Sequence, residues 1–383
     1  MNSRRPRLHV MAAALGAMLC IVPAWGAKRA LVGYYPSWLC GSPLMPDCDA
    51  AADLAQLSPG YTHVMLSFAQ PDFAWDDANW TGTGLQFRKS PADMKPAIAA
   101  LRAHGVRVVL AVGGAKYLDW SPLAAEASAP GPITRALADA ITALGLDGLD
   151  VDYEAEGAGP KQIAEYAGAI RAMHRAVVMA GPGKLLTLAA WSTGADCTPA
   201  TGLAPCGGKA SQWPGRAGRE RLLFRDETLP DKLSMVSVMA YDAGTNNFDP
   251  VTAYALYRDL LPAGTIVNLG FEIAPEGWGD GRLVADAAHA VCHGSVFVTS
   301  QFGTPTHRPY AVDRLIADGP LAPRRNSNAR DGAMLWHGLK DQDLPLCGSA
   351  ATISALEFVT QARVLLDGRQ VTSAPAYEGT HDD

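Results

Sequence analysis

Four acidic residues punctuate an otherwise apolar stretch, Asp147-Gly148-Leu149-Asp150-Val151-Asp152-Tyr153-Glu154. In an extended strand the side chains alternate, so Asp150, Asp152 and Glu154 share one face at a spacing of roughly 6.6 Å, and Leu149, Val151 and Tyr153 share the other. Carboxylates crowded in a partly desolvated site repel one another, and at least one is expected to hold its proton near neutral pH. A proton held in that way can be passed to a leaving group, which is the task of a general acid. Two blander readings are an exposed edge strand and a calcium loop of the Asp-x-Asp-x-Asp kind. A calcium loop usually brings turn-forming Gly and Asn between its ligands, whereas Leu, Val and Tyr intervene here and point to a strand.

The elements that must position this ladder are legible as a repeating pattern. Short β-rich apolar runs recur at about 30–35, 61–68, 106–112, 147–153, 185–191, 233–241, 265–271 and 332–337. Apolar residues at i, i+3, i+4 spacing predict helices over 94–104, 133–144, 163–179 and 254–261, and 351–366 closes the series. Strand and helix alternate without a nucleotide-binding glycine fingerprint, since Gly113-Gly114 is too little to cradle phosphate. The fold class expected is α/β, a single-domain (β/α)8 TIM barrel, with its chemistry at the C-terminal ends of the strands. Every Trp after residue 26 falls at those ends or in the loops that follow, namely Trp38, Trp75, Trp80, Trp120, Trp191, Trp213, Trp278 and Trp336. A rim of aromatic faces suits stacking on sugar rings, although any single Trp could instead anchor a loop.

At this point the chain resembles a known family. Asp147-x-x-Asp150-x-Asp152-x-Glu154 is similar to the active-site signature of family 18 glycoside hydrolases, the chitinases and their relatives. Val32-Gly33-Tyr34-Tyr35-Pro36 resembles the family's first strand and Val64-Met65-Leu66-Ser67-Phe68-Ala69 its second. Val109-Leu110-Ala111-Val112-Gly113-Gly114 resembles the third, with Ala111 where a Ser is usual. Met239-Ala240-Tyr241-Asp242 is similar to the Met-x-Tyr-Asp of strand six, and Met334-Leu335-Trp336 to the eighth-strand Trp; the likeness spans about residues 29–340. It implies a retaining, substrate-assisted glycosidase, the exception to the two-carboxylate rule. Glu154 would protonate the leaving oxygen and Asp152 would orient the attacking acetamide. Asp150 would hold Asp152, and Tyr241 would hydrogen-bond the acetamide oxygen. Asp242 would line that subsite above a floor formed by Trp336, with Tyr34, Phe68, Trp38, Trp191 and Met239 as further substrate-binding residues. The implied partner is a polysaccharide or oligosaccharide containing N-acetylglucosamine, with chitin first, and no metal or cofactor is implied. An endo-β-N-acetylglucosaminidase on N-glycans or a peptidoglycan hydrolase would keep the same residues. A chitin-binding lectin typically loses the terminal Glu, which is present here. Glu272 and Glu276, after strand seven, read as loop charges rather than substrate-binding carboxylates. The segment 279–330 is too short for the extra α+β insertion of some relatives, so a shallower cleft is expected.

Composition narrows the partners. Residues 1–26 read as a secretory signal, with Arg4, Arg5 and Arg7, an apolar run over 10–22 and Ala24-Trp25-Gly26 as the cleavage site. The expected domains are then 1–26 signal, 27–370 barrel and 371–383 disordered tail, in a secreted or periplasmic protein. The remaining 29 basic and 38 acidic residues give a net charge of −9, which makes nucleic acid a poor partner. No later run is long enough for a membrane span, and a monomer is expected. Six Cys remain, an even number in an exported chain, which suggests disulfides. Cys40–Cys48 and Cys197–Cys206 would close short loops, leaving Cys292 with Cys347, although other connectivities are open. His289-x-x-x-His293 beside Cys292 allows a metal reading, but Gly294 would end that helix, and a capping His is the plainer account.

Overall fold

A computed structural model describes residues 28–57, 60–204, 217–241, 249–273, 282–285, 297–299, 310–339, 341–346 and 349–368. The expected signal (1–26) and tail (371–383) lie outside the described residues, as do Asp242, Trp213, Trp278, Glu276, Cys206, Cys292, Cys347, His289 and His293. In chain order the elements are β1 (Leu31–Pro36), α1 (Ala50–Ala55), β2 (His63–Ala69), α2 (Pro91–Ala103), β3 (Arg107–Gly113), α3 (Ser121–Ala124), α4 (Pro132–Leu144), β4 (Gly148–Asp152) and α5 (Pro160–Met179). There follow β5 (Leu185–Trp191), α6 (Arg219–Leu223), β6 (Met235–Met239), α7 (Pro250–Leu260), β7 (Ile266–Ile273), β8 (Arg282–Ala285), β9 (Phe297–Thr299), β10 (Tyr310–Ala311), α8 (Val312–Asp318), β11 (Gly332–Trp336), β12 (Asp341–Leu346), β13 (Ser349–Ser354) and α9 (Ala355–Leu366).

Strands β1 to β7 pair in parallel, each with the next; β7 then pairs with β11, and β11 returns to β1. That closes an eight-stranded parallel barrel with helices between the strands, the architecture expected from the alternating pattern. Two apolar layers follow from the alternation of side chains. Leu149, Val151 and Tyr153 belong to the outer layer between barrel and helices, whereas Val32, Met65, Val109, Ala111, Ala189 and Met334 fill the barrel.

Local signals set the helix ends. Ser90 and Asp93 form a reciprocal capping box at the start of α2 with Pro91 in the first position. Gly145 at φ 70° terminates α4 in the left-handed conformation that glycine adopts cheaply. One expectation is corrected: residues 351–354 are not helical but belong to β13, paired antiparallel with β12. Thr352 and Ile353 are β-branched and favour that pairing.

The N-terminal end of the barrel is held by ion pairs. Asp147, one residue before β4, accepts from Arg102 Nε and Arg107 Nη1 at 3.0 Å each and from the Val108 amide at 2.9 Å. Asp331, one residue before β11, accepts from Arg258 Nη1 at 3.0 Å, the Tyr254 hydroxyl at 2.8 Å and the Val267 amide at 2.7 Å. Cys40 and Cys48 form a disulfide. Asp53 lies near the two sulfurs, but these are bonded to each other and are not metal ligands. Cys197 is also disulfide-bonded, and its partner lies outside the described residues.

Candidate active site

The site is built from β4 outward. Asp150 stands in register with Ala111 of β3 and Thr187 of β5, all on the barrel interior. Its two oxygens each take a hydroxyl donor: Tyr34 at 2.7 Å on Oδ2 and Thr187 at 2.5 Å on Oδ1. The methyl of Ala111 can donate nothing, so the hydroxyls come from β1 and β5. Burial pushes the Asp150 carboxyl up to about 6, against the pull of its hydrogen bonds from Thr187 and Tyr34. Asp152 is 3% exposed, and its Oδ1 has no hydrogen-bond partner among the described residues. Burial, then the charge of Glu154, then that of Asp150 raise the Asp152 carboxyl well above the usual range, while Arg219 opposes them. Glu154 is half-buried, two residues beyond the end of the strand.

Two glycines let the acid strand sit where it does. A Cβ on Gly113, whose φ is 111°, would lie 2.1 Å from the Asp152 carbonyl oxygen, and one on Gly114 (φ 77°) 2.8 Å from the Phe68 ring. The Gly114 amide donates to that same Asp152 carbonyl at 2.9 Å. The Gly113-Gly114 pair therefore serves close approach of backbone and ring.

Opposite the carboxylates lies an aromatic wall. Phe68 and Trp336 stack with centroids 5.5 Å apart, Trp38 stacks on Phe68 at 6.1 Å, and Tyr34 meets Trp336 edge-on at 5.8 Å. A cavity of about 310 Å³ opens between Trp38, Phe68, Trp336, Tyr117, Gln86 and Lys116. Tyr241 follows β6, and its hydroxyl lies 3.9 Å from Met334 Sδ, with Met239 in the same interior cluster. Trp191, half-buried, packs against that cluster from the end of β5.

The structure thus brings together Tyr34, Trp38, Phe68, Asp150, Asp152 and Trp336, with Glu154, Trp191, Met239 and Tyr241 at the same end of the barrel. Three further residues were not anticipated in these roles. Thr187 and Arg219 carried no local signal. Glu272, read from sequence as a loop charge, instead lies on β7 in register with Trp336 and is 1% exposed. Ile266 on the same face of the strand is inside the barrel, whereas Leu269 and Phe271 are outside, so Glu272 faces inward. The aromatic rim is also narrower than the sequence suggests. Trp120 is fully buried against Tyr153, with centroids 5.3 Å apart, and Trp75 and Trp80 pack on Phe73 and Phe87 as loop anchors.

A closed parallel barrel with clustered carboxylates and aromatic rings at the C-terminal ends of its strands has the layout of a barrel enzyme's active site. The comparisons carry this to a family. Residues 30–267 match the model of glycosyl hydrolases family 18, and the chain belongs to that family. No curated protein sequence matches it. Among solved structures it is similar to a family GH18 chitinase from Chromobacterium violaceum, at 18% identity and a TM-score of 0.56 over 89% of this chain and 84% of that one. It is also similar to the Group IV chitinase of Ostrinia furnacalis in complex with allosamidin, at 15% identity and a TM-score of 0.51 over 90% of this chain and all of that one. At these identities the likeness establishes the fold. Among the described residues no helix is long and apolar enough to cross a membrane.

Proposed function

We propose that the protein hydrolyses β-1,4-linked N-acetylglucosamine polymers, chitin or its oligosaccharides, with retention of configuration by substrate-assisted catalysis. The observation that carries this reading is the buried Oδ1 of Asp152, which has no hydrogen-bond partner among the described residues. A buried carboxylate oxygen left unpaired is costly, and the N–H of a 2-acetamido group is a donor that would satisfy it. Glu154 gives its proton to the glycosidic oxygen as the bond to C1 breaks. The acetamide oxygen forms the new bond to C1, and the carboxylate of Asp152 stabilises the resulting oxazolinium. Water then adds at C1 as the bond from C1 to the acetamide oxygen breaks, and Glu154, now ionised, takes a proton from that water. The second displacement restores the β configuration. Trp336, Phe68 and Trp38 offer apolar faces for the sugar rings, and Tyr241 and Asp150 steady the acetamide and Asp152.

Export is part of the same proposal, resting on Arg4, Arg5, Arg7 and the apolar run that follows. The Cys40–Cys48 disulfide suits an oxidising compartment. N-terminal sequencing of the exported protein should begin at or near residue 27.

The test of the activity is a side-by-side assay of chitin oligosaccharides, a high-mannose glycopeptide, peptidoglycan, fully deacetylated chitosan and cellulose. Cleavage should occur on the chitin oligosaccharides, with the β anomer as the first product seen by NMR, and the last two polymers should be inert. An α product, or brisk hydrolysis of cellulose or chitosan, would rule out acetamide participation. Preference for the glycopeptide or peptidoglycan would keep the mechanism and change the substrate.

A further inference from the structure

Arg219 opens helix α6 and is fully buried. Its Nη2 donates to the carbonyl of Tyr153 and its Nη1 to that of Ala155, both at 2.9 Å. The carbonyls of the residues on either side of Glu154 thus hang from one planar guanidinium. Nε and Nη2 also donate to Glu220 Oε1 at 3.0 and 2.7 Å. The guanidinium carbon lies 5.3 Å from the Tyr153 ring centre, 5.1 Å from that of Tyr166 and 5.9 Å from that of Trp191.

The surroundings are shaped around this pair. A Cβ on Gly194 would fall 1.7 Å from Glu220 Oε2 and 2.3 Å from the Tyr257 hydroxyl, so the seat of Glu220 requires glycine there. Tyr257 in turn donates to the Trp191 carbonyl at 2.7 Å. One buried cluster therefore fixes both the acid's main chain and the backbone of a residue at the end of β5.

An ion pair buried on both sides is a poor way to gain stability. Each ion loses its hydration, and an apolar pair of similar volume would often hold a short helix against the barrel as well or better. What an apolar pair could not do is donate in a fixed fork to two carbonyls at once. Those carbonyls need a donor, because the chain leaves the sheet after Asp152 and reaches α5 at Pro160 without regular pairing.

We propose that Arg219 is a positioning residue for the general acid: it grips the main chain on both sides of Glu154 and couples that segment to the end of β5. The role rests on the reading of Glu154 as the acid. Misplacement of a reacting group by about 1 Å costs on the order of 10²-fold in rate, and that is the size of effect expected.

The test compares Arg219→Met and Arg219→Lys with the wild type on a chitin oligosaccharide, alongside hydrogen–deuterium exchange of the intact proteins. In Arg219→Met, kcat should fall about 100-fold while KM stays within about threefold, since positioning acts on the transition state. Arg219→Lys keeps the charge but not the fork, and should fall between. Amides of 153–158 should exchange at least about tenfold faster in Arg219→Met while those of β4 keep their protection. A kcat loss that tracks only the lost folded fraction, with unchanged exchange at 153–158, would reduce Arg219 to a structural residue and overturn the proposal. If Arg219→Met does not fold, Arg219→Lys supplies both readouts. If the wild type cleaves no N-acetylated substrate, the proposed function fails on its own, and the exchange measurement still decides whether Arg219 holds the segment.

Discussion

Asp147 and Asp150 are three residues apart on one strand and its approach, yet they live in opposite chemistries. At the N-terminal end of the barrel Asp147 meets two arginines and a backbone amide, and Asp331 on the far side of the same end meets a third arginine. At the C-terminal end Asp150 takes two hydroxyl donors, and Asp152 meets the charges of Glu154 and Asp150, with Arg219 as the cation that opposes the rise of Asp152. Residue type and burial are the same. What differs is the partner: arginines contact the carboxylates that fasten the N-terminal end, whereas at the other end burial pushes Asp150 and Asp152 toward protonation. The two ends should therefore respond to substitution in opposite ways.

The largest effect belongs to the catalytic end. Glu154→Gln keeps the shape and removes the transferable proton, so turnover of a chitin oligosaccharide should fall by about 10²–10⁴-fold with binding of the oligosaccharide largely intact. The urea midpoint should stay near that of the wild type, because Glu154 is half-buried and lies beyond the end of β4. Full activity in this variant would break the division between the two ends, and calorimetry on the inactive protein checks the binding.

The reverse is expected at Asp331. Removing it in Asp331→Ala leaves the fully buried Arg258 without its carboxylate and the Val267 amide and Tyr254 hydroxyl without an acceptor. Breaking a buried pair in this way costs about 3–5 kcal/mol, read as a lower urea midpoint at unchanged slope. Turnover per folded molecule should be preserved. A drop in kcat without a drop in stability would mean that the ends are coupled.

How far this contrast was legible in the sequence follows from range. The ladder from Asp150 to Glu154 shows itself because a strand's period of two is local, and the eight strands show themselves by the same means. The partners that give each carboxylate its character are distant: Thr187 is 37 residues from Asp150, and Arg219 is 66 from Tyr153. Neither sits in a pattern of its own. Glu272 was misread because the seventh strand runs to Ile273, so a residue placed in the following loop is on the inner face of the barrel. The tryptophans show the complementary error. Among the described residues their positions at strand ends or in the loops that follow are right, but position alone does not separate a ring that faces the cavity, as Trp336 does, from one that anchors a loop on the core, as Trp120 does.

The smallest effect sharpens the comparison most, because its sign is opposite to that at Asp331. Burial pushes the Asp150 carboxyl up to about 6 in the folded protein, from 3.8 for the ordinary carboxyl of an unfolded chain. The folded state holds the proton more tightly, so this group's contribution to stability is full below about pH 4 and is lost as pH rises through 6. At 1.36 kcal/mol per pKa unit the loss across that window is about 3 kcal/mol. Asp150→Asn has no proton to lose and should escape it. The stability of the variant relative to wild type should rise by about that amount between pH 4 and pH 7 in urea titrations, while its turnover falls. Loss of the Asp150 charge also relieves Asp152 and acts in the same direction. A stability difference equal at the two pH values would show that Asp150 is ionised without penalty, and that the two ends of the barrel are not as unlike as their partners imply.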